Sequence, residues 1–380
     1  MIKIILLDID GVLVHPGGYR AALRATFNHF INLIGLPDFD IPEDTLTGLE
    51  KRGISSEWDM VPLLLASLWT DILSHRPMQN LPSDVSLAAM EIGKHLNGYM
   101  PSKIMIPEFE LVPVQYPAES ALQGGCFPLI PMDLRRSLLY DSRNVRDSQI
   151  IRIFQHYSLG SRMFSQTYNL PVEVETESFL LIHDRSNITA AVRAELRQPG
   201  IHLAAFTARP SAPPREVNDS HLGYALEAEL ALELVGLPDI PLIALGKLQY
   251  LASQYGFDPV TLLKPSPVQA LAAIAAAVTG DEWAALQSAC DWVQTGQIKG
   301  ALAELPHAFE LLVVEDTLGG IRSTREAGQV LRTSGLDVTT HALGLTYGST
   351  AKAEAFVQAG VVCFENWEAL MKSKFFGSAL

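Results

Sequence analysis

The amino-acid sequence predicts an α/β protein in which helices cover both faces of a parallel sheet and a large helical segment interrupts the chain. Three apolar runs predict the sheet, at residues 2–7, 201–206 and 309–314, and polar residues follow each of them. Near-continuous apolar strands are typical of parallel sheets buried on both faces. Between the first and second runs, apolar residues recur at the three- and four-residue spacing of helices.

Chain length and this helical segment together predict two domains. At 380 residues the chain is longer than a typical single core allows. We expect a discontinuous core of residues 1–14 and 200–380 and an inserted, mostly helical domain of residues 15–199.

Residues 101–131 are rich in proline and lack a clear period, which predicts an irregular excursion. The apolar run at 178–184, "SFLLIHD", predicts a short strand.

The second half of the chain alternates helical and strand patterns. Prolines at 265 and 267 suit the first turn of a helix, and Gly328 suits the end of one. The remaining predicted elements of the core are helices at 220–236, 265–280, 281–297 and 318–328, a strand at 337–346, a helix at 349–360 and a strand at 360–364.

Composition and charge exclude several classes of partner. Hydrophobic residues make up 48% of the chain and charged residues 18%, as in ordinary globular proteins. A net charge of −14 disfavours both nucleic acid and anionic membrane surfaces as partners. Neither a signal peptide nor a membrane-spanning run is visible, and Cys126, Cys290 and Cys363 lie too far apart for a zinc or disulfide pattern. We therefore expect a cytoplasmic protein.

Two carboxylates, Asp8 and Asp10, follow the first predicted strand with one residue between them. Side chains alternate along a strand, so a continued strand would point both carboxylates to the same side. Two like charges about 5 Å apart repel by roughly 3 kcal/mol at an effective dielectric of about 20. We therefore expect a cation between them, or a proton on one of them.

The polar residues that end the three apolar runs should meet in space. Asp8 ends the first run, Thr207 the second, and Glu315 with Asp316 the third. In parallel α/β sheets, ligands bind in the crevice beyond the carboxyl ends of the strands. The sequence therefore predicts one site built from these residues.

The order of these motifs resembles the haloacid dehalogenase (HAD) superfamily. The motifs are "DIDGV", Thr207 after an apolar strand, Lys264 before a helix, and "VEDTLGGI". The insertion after the first motif matches the placement of that superfamily's helical cap, and "FTARP" further resembles its phosphatase-like members. The resemblance implies a Rossmann-like parallel core with an inserted helical cap. It also implies hydrolysis of a small phosphorylated metabolite.

The resemblance assigns catalytic roles to four residues. Asp8 would attack phosphorus and form an aspartyl-phosphate, since carboxylates serve as nucleophiles in covalent phosphoryl transfer. Asp10 would protonate the leaving oxygen and then deprotonate the attacking water. Thr207 would donate a hydrogen bond to the transferring phosphoryl group. Lys264 would supply positive charge to that group and restrain Asp8.

The resemblance also implies a Mg²⁺ ion, which prefers oxygen ligands in octahedral geometry. Asp8, Asp316 and the backbone carbonyl of Asp10 would bind it. Some members of the superfamily carry another acid where this chain has Gly320, so Glu315 is expected to take a larger part in metal binding.

Substrate selection is expected from the crevice and from the inserted domain. A small phosphorylated substrate is the expected partner, and a homodimer stays open as an assembly. The candidate substrate-binding residues are Thr207, Ala208, Arg209, Lys264, Gly11, Arg20 and Trp58.

Other activities of the same superfamily stay open. Dehalogenase members lack the second acid of "DID", so Asp10 argues against dehalogenation. A phosphomutase would retain Asp8 and Asp10, and a catalytically silent phosphate-binding regulatory module would also fit the sequence. For the phosphatase, we expect Asp10→Asn to abolish most turnover and to raise the melting temperature by relieving repulsion between carboxylates.

Overall fold

A computed structural model describes residues 2–101, 104–113 and 115–376, and it divides into two units. The sheet unit contains the chain up to Pro16 and from Asp184 onward, and the helical unit contains Gly17–His183. We expected the second boundary at residue 199 or 200, but residues 184–199 cluster with the sheet unit. A physical reason is that Val192 and Leu196 of this stretch are buried in the same core as the first strand.

The strands of the described residues all belong to the sheet unit. In chain order they are β1 (Ile2–Leu7), β2 (Val14–His15), β3 (Arg185–Ser186), β4 (Ile201–Phe206), β5 (Leu242–Ile243), β6 (Ala308–Glu315), β7 (Asp337–Leu345) and β8 (Val362–Phe364).

Helices occur in both units. Those of the helical unit are α1 (Gly17–Ile34), α2 (Glu43–Lys51), α3 (Glu57–His75), α4 (Val85–Lys94), α5 (Pro117–Gln123), α6 (Met132–Leu139), α7 (Gln149–Leu159), α8 (Ser161–Tyr168) and α9 (Phe179–His183). Those of the sheet unit are α10 (Ala190–Leu196), α11 (Glu227–Leu234), α12 (Leu245–Tyr255), α13 (Pro267–Thr279), α14 (Glu282–Thr295), α15 (Leu318–Thr333), α16 (Thr350–Gln358) and α17 (Trp367–Met371), with 3₁₀ turns at Pro259–Leu262 and Gly300–Glu304.

The main sheet is parallel throughout and confirms the predicted α/β class. Its six described strands follow the order β5-β4-β1-β6-β7-β8. β1 lies in the interior of the sheet, with Leu7 opposite Ala205 of β4 and opposite Val314 of β6. β2 and β3 form a separate antiparallel pair, in which Val14 lies opposite Ser186.

Alternation along β1 divides the hydrophobic core into two layers. Ile4 and Leu6 join the core beneath α13, α14 and α15, whereas Ile5 and Leu7 join the core beneath α10, α11 and α17. Successive side chains of a strand point to opposite faces, so a strand that is apolar at every position requires cover on both faces. This arrangement is the physical basis of the three apolar runs in the sequence.

The helical unit is organised around α1, which packs against α3, α4, α7 and α9. Residues 178–184 were predicted as a strand, and this prediction is wrong, because Phe179–His183 forms α9. Short apolar runs do not distinguish a strand from a buried helical turn. The proline-rich stretch 101–131 is irregular at 104–111 but contains α5, whose first residue is Pro117. Residues 102, 103 and 114 of this stretch lie outside the described residues.

Across the described part of the chain, no helix combines the length and the apolar character needed to cross a bilayer.

Leu6→Ala tests the position of β1 in the core. Leu6 is 0% exposed, whereas Leu222, also in the sheet unit, is 47% exposed. We expect Leu6→Ala to lower the free energy of unfolding by about 3 kcal/mol, because truncation removes buried methyl groups and leaves a cavity. Leu222→Ala should change it by less than about 0.5 kcal/mol. Urea denaturation of both variants measures the difference, and equal losses would contradict the packing described above.

Candidate functional site

Polar residues from distant parts of the sequence meet at one edge of the sheet. Asp8 follows β1 directly, Thr207 follows β4, and Glu315 is the last residue of β6, with Asp316 next. β4, β1 and β6 are neighbours and run parallel. Residues that follow neighbouring parallel strands share the edge where α/β proteins bind ligands.

Three carboxylates form a cluster at this edge. Among the described residues, Asp8, Glu315 and Asp316 each offer one oxygen, and these three oxygens lie within 4.8 Å of one another. Burial raises the pKa of Glu315 and that of Asp316 above their ordinary values, and the charge of Asp8 raises both further. The cluster therefore needs positive charge close by.

Lys264 supplies part of that charge. Its Nζ lies 2.9 Å from Oδ1 of Asp8 and 2.7 Å from Oε1 of Glu315, so one ammonium group joins two of the three carboxylates. Burial alone would lower the pKa of Lys264, but the two carboxylates outweigh burial and the pKa lies above its ordinary value. Lys264 is therefore a permanent cation of the site.

A buried amide fixes the backbone around Lys264. Oε1 of Gln269 accepts a hydrogen bond from the backbone N–H of Lys264 at 3.0 Å. Nε2 of the same side chain donates to the carbonyls of Thr207 and Ile243, each at 2.9 Å. Gln269 thus ties the lysine loop to the ends of β4 and β5. The Lys264 ammonium also lies 4.3 Å from the ring centroid of Phe206.

The Glu315 carboxylate occupies the space next to Gly320. A Cβ atom at position 320 would overlap the carboxylate of Glu315, so only glycine fits there. Oε2 of Glu315 accepts hydrogen bonds from the backbone N–H of Thr317 at 3.2 Å and from its hydroxyl at 3.0 Å. Glu315 therefore brings a carboxylate close to the backbone at position 320.

Asp316 lies between a glycine and a second lysine. Gly11 has φ +70°, and a Cβ on it would overlap Oδ2 of Asp316, so its backbone approaches the carboxylate closely. The same Oδ2 accepts a hydrogen bond from Nζ of Lys352 in α16. Gly11, a candidate substrate-binding residue, thus has a steric reason to be glycine.

Asp10 is not part of the carboxylate cluster found among the described residues. Nε of Arg209 donates to its two carboxylate oxygens at 3.0 and 2.9 Å, and Nη2 of Arg209 donates to Oδ1 as well. Nη2 also donates to Oδ2 of Asp184 at 3.0 Å. The guanidinium of Arg209 is buried between two carboxylates.

This geometry corrects the argument from strand alternation for Asp8 and Asp10. Among the described side chains, Asp8 pairs with Lys264 and Asp10 pairs with Arg209, and a metal ion between the two carboxylates stays a prediction. β1 ends before Asp8, so strand alternation does not extend to these residues. The Asp10 carboxylate is held by the Arg209 guanidinium, and metal binding by the backbone carbonyl of Asp10 stays a prediction.

Thr207 and Ala208 follow β4 at the edge of the crevice. Thr207 is buried, and its Oγ1 accepts a hydrogen bond from the backbone N–H of Arg209 at 3.2 Å. That bond leaves the hydroxyl hydrogen of Thr207 able to donate to a ligand. Ala208 is exposed.

Arg20 and Trp58 belong to the helical unit, where each has partners. Arg20 pairs with Glu50, and its Nε lies 3.5 Å from Glu57. The ring of Trp58 lies 5.7 Å from that of Phe154. Within this unit, Arg20 is therefore an ion-paired residue and Trp58 packs against another aromatic ring.

Sequence reasoning missed Lys352, Asp184 and Gln269. Lys352 lies shortly after β7, and polar residues beyond a strand of a parallel sheet are the one signal that could have indicated it. Asp184 is distant in sequence from Arg209, and Gln269 is distant from Thr207 and Ile243. Only the fold brings them into contact.

Comparison with known proteins gives a likeness in fold. No protein-family model matches the sequence, and no curated protein matches it. The structure is similar to the X-ray structure of Northeast Structural Genomics Consortium target ZR25, with a TM-score of 0.64, 15% identity and coverage of 97% of each chain. It also aligns with phosphatase Tt82 from Thermococcus thioreducens, with a TM-score of 0.42 and 16% identity over 89% of this chain and 91% of that one.

Asp184→Asn tests the buried pairing of Arg209. The variant removes one of two carboxylates from a buried guanidinium, and we expect the free energy of unfolding to fall by about 2 kcal/mol. The matched control is Asp239→Asn, which removes the partner of Arg197 from an exposed ion pair and should cost less than about 1 kcal/mol. Urea denaturation compares the two. Equal losses would mean that Arg209 does not depend on Asp184.

Proposed function

We propose that this protein is a magnesium-dependent phosphatase that hydrolyses a small phosphate monoester through an aspartyl-phosphate on Asp8. One observation carries the proposal: the carboxylates of Asp8, Glu315 and Asp316 cluster within 4.8 Å, and the ammonium of Lys264 joins two of them. A buried nucleophile, a fixed cation and a set of hard oxygen donors are the parts that phosphoryl transfer requires.

The environment of Asp8 suits a nucleophile. Its Oδ1 accepts hydrogen bonds from the backbone N–H of Ile9 at 2.8 Å and from Lys264. Within the described part of the chain, these donors hold Oδ1 and leave Oδ2 without a hydrogen bond. Oδ2 would form the bond to phosphorus while the ester oxygen departs with the bonding electrons. Lys264 and the hydroxyl of Thr207 would stabilise the negative charge on the phosphoryl oxygens.

Asp10 would transfer the protons. In the first half of the reaction it would protonate the leaving oxygen, and in the second it would take a proton from the water that attacks the aspartyl-phosphate. Arg209 contacts both carboxylate oxygens of Asp10 and fixes their direction.

The donor set fits a hard divalent cation, since it consists of carboxylate oxygens alone. Asp8, Glu315 and Asp316 would hold Mg²⁺ with their side chains, and the family resemblance adds the backbone carbonyl of Asp10. When bound, the ion would neutralise the carboxylates and polarise the phosphoryl group.

Asp8→Asn tests the nucleophile. We expect the wild-type protein to release phosphate from p-nitrophenyl phosphate in Mg²⁺ and to lose this activity in EDTA. Asp8→Asn should lower kcat by at least about a thousandfold, because the amide cannot form the covalent intermediate. Circular dichroism would show that the variant folds, and Asp239→Asn serves as the active control.

Three results would contradict the phosphatase proposal. Release of phosphate by Asp8→Asn at the wild-type rate would exclude a nucleophile at this position. A wild-type protein that turns over no phosphate ester, in a screen of phosphorylated metabolites with and without Mg²⁺, would instead support the silent phosphate-binding module. A phosphoenzyme that forms but resists water would support the phosphomutase.

Asp10→Asn separates the two halves of the reaction. Nitrophenolate leaves with little need for a proton, whereas water attack needs the base. We therefore expect rapid release of one nitrophenolate per protein, followed by turnover slowed about a hundredfold or more. Stopped-flow absorbance measures both phases. Normal steady-state turnover would remove Asp10 from the acid–base role.

The same variant gives a thermal test. The sequence alone predicted a higher melting temperature for Asp10→Asn, but the structure predicts a lower one, because the substitution breaks the ion pair with Arg209.

A further inference from the structure

The lysine of α16 has no role in the proposed reaction, yet its ammonium lies at the carboxylate cluster. Nζ of Lys352 contacts Oδ2 of Asp316. The backbone N–H of Lys352 donates to Oγ of Ser349 at 3.3 Å, which fixes the residue in the first turn of the helix. Phe356, further along α16, is buried in the core of the sheet unit. The helix is thus anchored, and the lysine side chain extends from it to the site.

The two lysines of the cluster differ in their surroundings. Lys264 joins two carboxylates and its side chain is 11% exposed, whereas Lys352 contacts one carboxylate and its side chain is 41% exposed. Lys264 is therefore enclosed, while Lys352 has solvent to move into. Of the two ammonium groups, only that of Lys352 can move from its carboxylate into solvent.

The net charge of the cluster explains why the greater exposure of Lys352 matters for cation binding. When all three clustered carboxylates are ionised, the two ammonium groups leave one negative charge in excess. A divalent cation that binds Asp316 would lie beside the ammonium of Lys352 at the same carboxylate, and two cations that close repel each other. Departure of Lys352 removes that repulsion and gives the divalent ion a carboxylate that is free to coordinate.

We propose that Lys352 is an internal counterion of Asp316, which neutralises this carboxylate in the metal-free protein and releases it when a divalent cation binds. Lys352 therefore sets the affinity of the site for that cation. The inference rests on the proposed metal site and adds to it a residue that controls how readily the site fills. Lys352 acts through Asp316 and is a positioning residue rather than a catalytic one.

Calorimetric titration of the full-length protein with Mg²⁺, in the absence of any substrate, tests the inference. Lys352→Met removes the ammonium and keeps most of the apolar stem, so we expect Mg²⁺ to bind about tenfold more tightly than to wild type. Lys352→Arg keeps the charge and should bind Mg²⁺ within about threefold of wild type. The matched control is Lys372→Met, which changes the net charge equally but breaks only an exposed pair with Glu368.

Thermal unfolding gives a second readout that does not depend on activity. In EDTA, Lys352→Met should melt a few degrees below Lys372→Met, because Asp316 then lacks its counterion. In saturating Mg²⁺ this difference should vanish or reverse, since the bound ion replaces the ammonium and stabilises the folded state by mass action. A residue that merely packs would lower the melting temperature equally in both conditions.

The outcomes separate this inference from the proposed function. Mg²⁺ affinity in Lys352→Met that equals or falls below wild type would overturn the counterion role, as would an equal gain in Lys372→Met. The absence of Mg²⁺ binding to both wild type and Lys352→Met would overturn it together with the metal site. Tighter binding to Lys352→Met in a protein that hydrolyses no ester would uphold the counterion role and reject the phosphatase.

Discussion

The ammonium of Lys264 between Asp8 and Glu315 is the interaction on which the candidate site depends. The two carboxylates are buried at the carboxyl ends of adjacent strands, where like charges repel strongly and water screens them little. A buried charge is tolerated only when it is paired with an opposite charge and hydrogen-bonded. The lysine loop must therefore be held in place, and Gln269 holds it by hydrogen bonds to the lysine backbone and to the ends of β4 and β5.

The same requirement explains why Asp10 and Asp316 each pair with a further cation besides Lys264. Arg209 lies against Asp10 and Lys352 against Asp316, so that the acids of the site do not share a single counterion. The guanidinium of Arg209 is more enclosed than the ammonium of Lys352, and Asp184 also contacts it. Groups that are fully enclosed fix the geometry of a site, whereas a partly exposed group can exchange its partner for an ion from solution.

Steric limits at two glycines complete the site. Gly11 allows the chain after β1 to approach Asp316, and Gly320 allows the carboxylate of Glu315 to fold back against α15. Side chains at either position would overlap a carboxylate. Close packing of the backbone thus decides which oxygens can cluster.

The sequence by itself determined the parallel α/β core and the convergence of Asp8, Thr207, Glu315 and Asp316, because apolar strands covered on both faces end in polar residues at one edge. Hydrophobic periodicity does not distinguish a strand from a helix in a short segment, so the strand prediction for α9 was wrong. The predicted unit boundary at residue 199 or 200 also differs from the boundary at Asp184. Only the tertiary structure decided which cation meets which acid. The physical reason is that long lysine and arginine side chains reach partners through space, and their choice depends on burial and packing that no local pattern encodes.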